Sequence, residues 1–179
     1  MNDTTRPGYL TAVGAMPIYD EALEQALSQW ILGISGLPDG AVIIEYINPQ
    51  PGPPPDANWC SFSLTEFQYQ ANPVSVTKDA DADYFRQVES AVVRCRFYGP
   101  GAQGYASAFR SGLFVSQNNA ELNRIGFTFG DVGNLIATPE FINNQWQRRY
   151  DLSVTLRRQT EREYGIKSFL STPVQISGD

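Results

Sequence analysis

A regular alternation of apolar and polar residues marks the segment after position 149. Every second residue is apolar and the positions between are polar or charged; the apolar ones are Tyr150, Leu152, Val154 and Leu156. Residues two apart share one face of a strand, so the pattern predicts a half-buried β-strand. A strand with one core face and one polar face is typical of antiparallel sheets. We expect residues 139–159 to organise the fold, with Trp146 as a buried anchor of the turn into this strand.

A second strand of the same kind is predicted at residues 84–98. Its inward positions should be those of Ala91, Val93, Cys95 and Phe97, and its outward positions include Arg94 and Arg96. Two further pairs of arginines, Arg148 with Arg149 and Arg157 with Arg158, bracket the first strand. Arginines on a strand face can pair with carboxylates of a neighbouring subunit, or they can simply keep the strand soluble. The residues alone leave both interpretations open.

Helical spacing of apolar residues predicts two principal α-helices. Residues 17–34 place Leu23, Leu27 and Trp30 on one stripe, and Gly33 or Gly36 can end that helix. Residues 102–116 form the second. Gln117 to Arg124 is polar, and is expected to turn or to continue the second helix briefly.

Shorter strands complete the expected fold. They are predicted at residues 41–47, 59–70, 125–130, 134–138 and 166–176. A change of parity near residue 66 is explained either by a bulge or by a strand covered on both sides. Turns are expected around Gly130, Asp131 and Gly133, and at the charged residues 160–165. The order of elements predicts an α+β fold: a mainly antiparallel sheet packed with two principal helices.

Two segments differ from the rest in composition. Residues 1–16 are polar and form an expected N-terminal arm that orders on a neighbour, leaving residues 17–179 as a single domain. Residues 48–58 contain five prolines and should be extended and stiff. That segment is interpreted either as a loop between strands or as a preformed peptide that docks on another protein.

Composition and charge reduce the number of function classes that fit this chain. The chain has 179 residues, 42% of them hydrophobic, and no apolar run long enough to span a membrane. Its start lacks the pattern of a signal peptide, which predicts a soluble protein that stays where it is made. The net charge of -6 argues against gripping DNA by its phosphates, and eleven Arg against two Lys favours assembly.

Few residues are suited to catalysis or to metal binding. There is no histidine, and Cys60 and Cys95 are expected to be free and buried. The candidate enzymatic carboxylates are Glu66, Glu89 and Asp151, and the last is better explained by a salt bridge to Arg149. Asp79, Asp81 and Asp83 lack the Gly and closing Glu of a calcium loop. We therefore predict no catalytic, cofactor or metal site.

The chain resembles the neck or tail-terminator proteins of tailed bacteriophages and prophages in the order of three segments, SQWILG, RCRFYGPGAQGYASAF and PEFINNQWQRRYDLSVTL. The resemblance spans residues 17–176, although residues 48–58 are not part of it. It implies an α+β virion structural protein, assembled in the bacterial cytoplasm, that is not an enzyme. It also implies a ring, commonly of six copies, at the head-proximal end of the tail tube, which stops tube growth and joins the neck.

The implied partners are further copies of the chain, the tail tube protein, the neck or head-completion connector and the tail sheath, with DNA passing through the lumen without specific binding. The candidate interface residues are Arg94, Arg96, Trp146, Arg148, Arg149, Asp151, Arg157 and Arg158. The acidic loop of Asp79, Asp81 and Asp83 is expected to face the lumen or an adjacent ring. Another connector or tube component, or a small enzyme, remains as an alternative.

Overall fold

The computed structural model describes residues 3–47, 56–77, 82–142 and 144–166. Over this part of the chain the helices are α1 (Asp20–Ser35), α2 (Ala102–Gly112) and α3 (Ser116–Arg124). The strands are β1 (Val42–Ile44), β2 (Trp59–Tyr69), β3 (Val74–Thr77), β4 (Asp83–Tyr98), β5 (Phe127–Val132), β6 (Ile136–Ala137), β7 (Glu140–Ile142), β8 (Gln145–Gln147) and β9 (Arg149–Tyr164).

The chain divides into two compact units. One contains residues 1–16, 70–88 and 159–179, and the other contains residues 17–69 and 89–158. We call them the minor and the major unit. The division of the sequence into an arm and one domain remains a prediction.

A mainly antiparallel sheet organises these strands in the order β1-β2-β4-β9-β5. β2 pairs with β4, and β5 with β9, in antiparallel fashion, whereas the short β1 pairs parallel to β2. β3 also pairs with β4, and β6 pairs with β9. The predicted α+β fold is confirmed.

Helix α1 forms where the sequence predicts it. Asp20 and Glu21 lie in its first turn, where carboxylates favour the positive end of the helix dipole. It ends at Gly36, whose φ of 70° lies in the left-handed region that glycine adopts without strain. Its apolar stripe is buried, and Trp30 packs edge-on against Phe109 of α2 at 5.6 Å between ring centroids.

The predicted alternation of β4 and β9 matches the core of the major unit. The inward residues are fully or almost fully buried: Ala91, Val93, Cys95 and Phe97 from β4, and Leu152, Val154 and Leu156 from β9. Each large apolar side chain buried here contributes roughly 1.5–3 kcal/mol. Cys60 and Cys95 are free and buried, as predicted, and burial raises the pKa of the Cys60 thiol well above its usual value.

In the strand pairs that the structure describes, the register shifts at two places. The register shifts between Leu64 and Glu66, so of the two explanations for the change of parity in β2 the bulge is the one observed. A second shift lies between Phe129 and Asp131, where a turn was predicted. The chain continues there as a strand because Gly130 permits a close approach: a Cβ at this position would lie 2.9 Å from the Thr155 carbonyl oxygen.

Three element predictions are wrong in detail. The polar segment 116–124 is a helix of its own, α3, held by buried Leu122 and by a hydrogen bond that Trp30 Nε1 donates to the Asn118 carbonyl at 3.0 Å. β3 forms before the acidic segment. β9 continues to Tyr164 instead of turning after residue 159.

In the minor unit, β3 pairs with the first residues of β4. Residues of the predicted arm bind the chain itself: Val13 bridges to Glu163, and the Thr4 amide donates to the Gly165 carbonyl at 3.0 Å. Arg86 and Glu161 form an ion pair at 2.7 Å. Apart from Ile166, the strand predicted at 166–176 lies outside the described residues, as do residues 48–55.

Candidate assembly surface

A buried ion pair joins β4 to β9 in the major unit. Arg158 Nε lies 3.0 Å from Glu89 Oε2, and Arg158 Nη2 lies 3.1 Å from Glu89 Oε1. The exposed fractions of these side chains are 1% for Arg158 and 0% for Glu89. The two parallel contacts are the forked geometry in which guanidinium binds carboxylate most strongly.

Neighbouring groups complete this pair. Tyr19 Oη donates to Glu89 Oε2 at 3.3 Å, and Arg158 Nη1 donates to the Ile18 carbonyl at 2.8 Å. The guanidinium also lies over the rings of Tyr19, at 4.2 Å, and Phe127, at 4.5 Å. These contacts correct the sequence analysis, which grouped Arg158 with the exposed arginines. Because the Arg158 side chain is buried, it is no longer a candidate interface residue. Glu89 is its counter-ion.

On the opposite, outward face of the sheet, Arg96 pairs with Glu45. Both side chains are mostly buried, and Glu45 Oε1 also accepts a hydrogen bond from Ser61 Oγ at 2.6 Å. Burial on its own would raise the pKa of Glu45, but hydrogen bonds from Arg96 and Ser61 outweigh it and lower that pKa. The predicted outward position of Arg96 is thus correct, although its charge is already neutralised within the chain.

Arg149 holds a second ion cluster on this face. It donates from Nε and Nη2 to the two carboxylate oxygens of Asp151, both at 2.7 Å, and from Nη1 to Glu140 Oε2 at 3.2 Å. Hydrogen bonding to Asp151 raises the pKa of Arg149. The salt bridge predicted between Arg149 and Asp151 is present.

The two clusters border one open depression. Its volume is about 350 Å³, and its lining consists of Glu45, Tyr46, Arg96, Tyr98, Glu140 and Arg149. Tyr98 stacks on Trp59 at 4.1 Å, which holds one wall in place. Within the described residues Glu45 Oε2 and Arg96 Nε have no hydrogen-bond partner. An open, charged depression of this kind can receive polar groups of another protein.

A two-stranded hairpin, β7 with β8, adjoins the Arg149 cluster through Glu140. Phe141 pairs with Trp146 across it, with ring centroids 5.2 Å apart. The exposed fractions are 56% for Phe141 and 72% for Trp146. Trp146 is therefore not the buried anchor that the sequence analysis expected. Exposed aromatic side chains in a pair are instead typical of binding hot spots.

A second exposed aromatic patch lies at the corner between α2 and α3. Phe114 and Val115 are 63% and 49% exposed, and the Phe114 ring contacts Phe129 of β5 at 5.4 Å. The sequence analysis missed this patch. Phe114 and Val115, two adjacent apolar residues that follow the apolar stripe of the second helix, are the sequence feature from which it could have been predicted.

The remaining candidate residues are dispersed. Arg94 and Arg157 are exposed on outward positions and form no ion pair within the described residues. Arg148 Nη1 donates to the Pro100 carbonyl at 3.4 Å. Asp83, in the minor unit, accepts a hydrogen bond from Ser75 at 3.4 Å. Asp79 and Asp81 lie outside the described residues.

The described part of the chain contains no group of three or more acidic or cysteine side chains arranged to hold a metal ion. None of its helices is long and apolar enough to cross a membrane.

A family model described as phage neck terminator protein matches residues 21–179 of this chain. No curated protein matches this chain.

Proposed function

This chain belongs to the phage neck terminator protein family and is a structural protein of the phage virion; from that premise we propose that it assembles into a closed ring of six copies. The ring caps the head-proximal end of the tail tube, stops its growth and joins the tail to the neck. The resemblance of the three sequence segments implies the same role.

The exposed hairpin carries the proposal. A two-stranded hairpin is only marginally stable alone. This one exposes the apolar side chains of Phe141 and Trp146 to water, and a partner that covered them would stabilise it. Arg149 holds its base through Glu140, so the aromatic pair is presented in a defined place. Preorganisation of this kind lowers the entropy cost of binding.

The proposed partners follow from the position at the tube end. The ring contacts the tail tube on one side and the head-completion connector on the other, with the tail sheath as a further neighbour. DNA passes through the lumen without being held, which suits a chain with a net charge of -6. We keep the acidic segment of Asp79, Asp81 and Asp83 as a proposed lumenal or inter-ring surface.

Native mass spectrometry of the purified protein tests this function, alone and with added tail tubes. A closed species of about six times the 19.9 kDa chain mass is expected, either in solution or on tube tips. Tubes mixed with the protein should stop elongating. Open-ended polymers would favour the alternative role of a tube protein, and a chain that neither closes nor binds tubes would contradict the proposal.

A further inference from the structure

Two separate aromatic patches lie exposed on the major unit. The first is the hairpin patch, formed by Phe141 and Trp146; the second is the corner patch, formed by the exposed Phe114 and Val115 together with the partly buried Phe129. Each is built from more than one chain segment, so each has a defined shape. Neither is covered by the described part of the chain.

The two patches are too far apart to cover each other within one molecule. The hairpin joins β9 just before Arg149, whereas Phe129 of the corner patch pairs with Leu156. Seven residues of extended strand separate these points, which amounts to about 23 Å. Contact between the patches therefore requires two copies of the chain.

Charges beside the patches are complementary. Glu140 precedes Phe141, and 42% of its side chain remains exposed although Arg149 binds one of its oxygens. Arg110 lies four residues before Phe114, and its Nε donates a long hydrogen bond of 3.4 Å to the Gly133 carbonyl. An apolar centre flanked by an acid on one side and a base on the other gives a contact both affinity and direction.

From these observations we infer that the hairpin patch of one copy packs on the corner patch of the next, with Glu140 facing Arg110. Two different surfaces in contact form a heterologous interface, the type that closes into rings when the rotation permits. The inference rests on the proposed ring and names its contact. It assigns Trp146 and Phe114 as the central pair, and Arg149 as the residue that positions the hairpin.

Truncation variants test the contact. Trp146→Ala and Phe114→Ser remove exposed side chains, so both variants should fold, as circular dichroism would check. Loss of a hot-spot aromatic should weaken each contact on the order of 30-fold. Tyr69→Ala, which removes an aromatic side chain that is 53% exposed outside both patches, should leave the assembly unchanged.

Cysteine pairs test the direction of the contact. A chain carrying both Gln145→Cys and Ser111→Cys keeps Trp146 and Phe114 in place, because the two cysteines occupy exposed positions beside them. Treated with a short bismaleimide, it should give a covalent ladder that ends at the closed ring. A mixture of the two single variants should give covalent dimers only, and each single variant alone should give none. The native Cys60 and Cys95 are fully buried and should not react.

The outcomes separate this inference from the proposed ring. If the wild-type chain forms rings and the truncations leave them intact, the inference is wrong and the ring stands. Cross-linking of Gln145→Cys chains to one another would show a symmetric contact, and loss of tube binding alone would assign the hairpin to another protein; either result overturns the inference. A chain that stays monomeric, with or without tubes, overturns the ring and the inference together.

Discussion

Arg158 and Glu89 form a two-point ion pair that water does not reach, with contacts of 3.0 and 3.1 Å. Hydrogen bonds from Arg158 and Tyr19 take the place of water around the Glu89 carboxylate. Glu89 and the Ile18 carbonyl do the same for the Arg158 guanidinium. Such a pair is costly to break because the remaining partner is a buried, unpaired charge.

Glu89→Gln should therefore lower the free energy of unfolding by about 3–5 kcal/mol. Replacing both partners, as Glu89→Leu with Arg158→Met, should cost less than either single change, because no charge is left buried. Urea denaturation of the wild type, Glu89→Leu, Arg158→Met and the double variant gives the coupling energy. Arg157→Met, on the exposed neighbour, serves as the control and should stay within about 0.5 kcal/mol of the wild type. Additive effects of the two substitutions would contradict this account.

Trp146→Ala should change the stability of the monomer by no more than about 1 kcal/mol, since it removes one exposed cross-strand pair. A buried tryptophan would cost about 3–5 kcal/mol. Chemical denaturation at a concentration below that of self-association measures the difference. A loss in the upper range would mean that the hairpin packs on the body of the protein.

Arg149→Ala should leave the chain folded and weaken self-association, because the hairpin then loses the contact between Arg149 and Glu140. Circular dichroism reports the first effect, and sedimentation at graded concentrations reports the second. Arg148→Ala is the matched control, since Arg148 donates one long hydrogen bond to Pro100. Equal effects of the two substitutions on assembly would remove the positioning role of Arg149.

Gly99→Ala should destabilise the protein by at least about 1–2 kcal/mol. Its φ is 106°, and a Cβ at this position would lie 2.5 Å from the Ala57 carbonyl oxygen. Gly104→Ala on helix α2 meets nothing within 4 Å and should instead stabilise by about 0.5–1 kcal/mol. Thermal unfolding of both variants checks the opposite signs.

The pH dependence of stability should contain a contribution from Glu45. Its pKa is lower in the folded chain than the unfolded value of 4.5, so the folded state holds the proton less tightly. The resulting stability is fully present above pH 4.5 and is lost as the pH falls through the folded pKa. The difference in unfolding free energy between the wild type and Glu45→Gln, measured from pH 7 to pH 3, should shrink over that lower range. A constant difference would contradict the assignment.

The sequence predicts what depends on local periodicity and misses what depends on distant partners. The alternation in β4 and β9 identifies their core residues because each strand has one buried face. That same parity assigns Arg158 to the core, yet its partner Glu89 lies 69 residues away and only the fold brings the two together. A charge was therefore interpreted as exposed.

At Trp146 the error is the opposite one, because a hydrophobic residue was interpreted as buried and is exposed. Large aromatic residues are usually buried, but a two-stranded hairpin offers no second layer to cover one. At the far end of β9, charged residues suggested a turn. The strand continues there because its polar groups find partners: Thr160 is buried, and its hydroxyl donates to the Gln87 carbonyl at 3.3 Å.

The burial of the Cys60 thiol has a consequence for how the protein responds to acidity. The chain has no histidine, and burial moves the pKa of Cys60 further from neutrality. Side chains that exchange protons between about pH 6 and pH 7.5 are thus lacking in this composition. Over that interval the side chains do not act as buffers, and their summed charge stays close to -6. Its electrostatic contacts should then respond to ionic strength and remain indifferent to small shifts in the proton concentration around it.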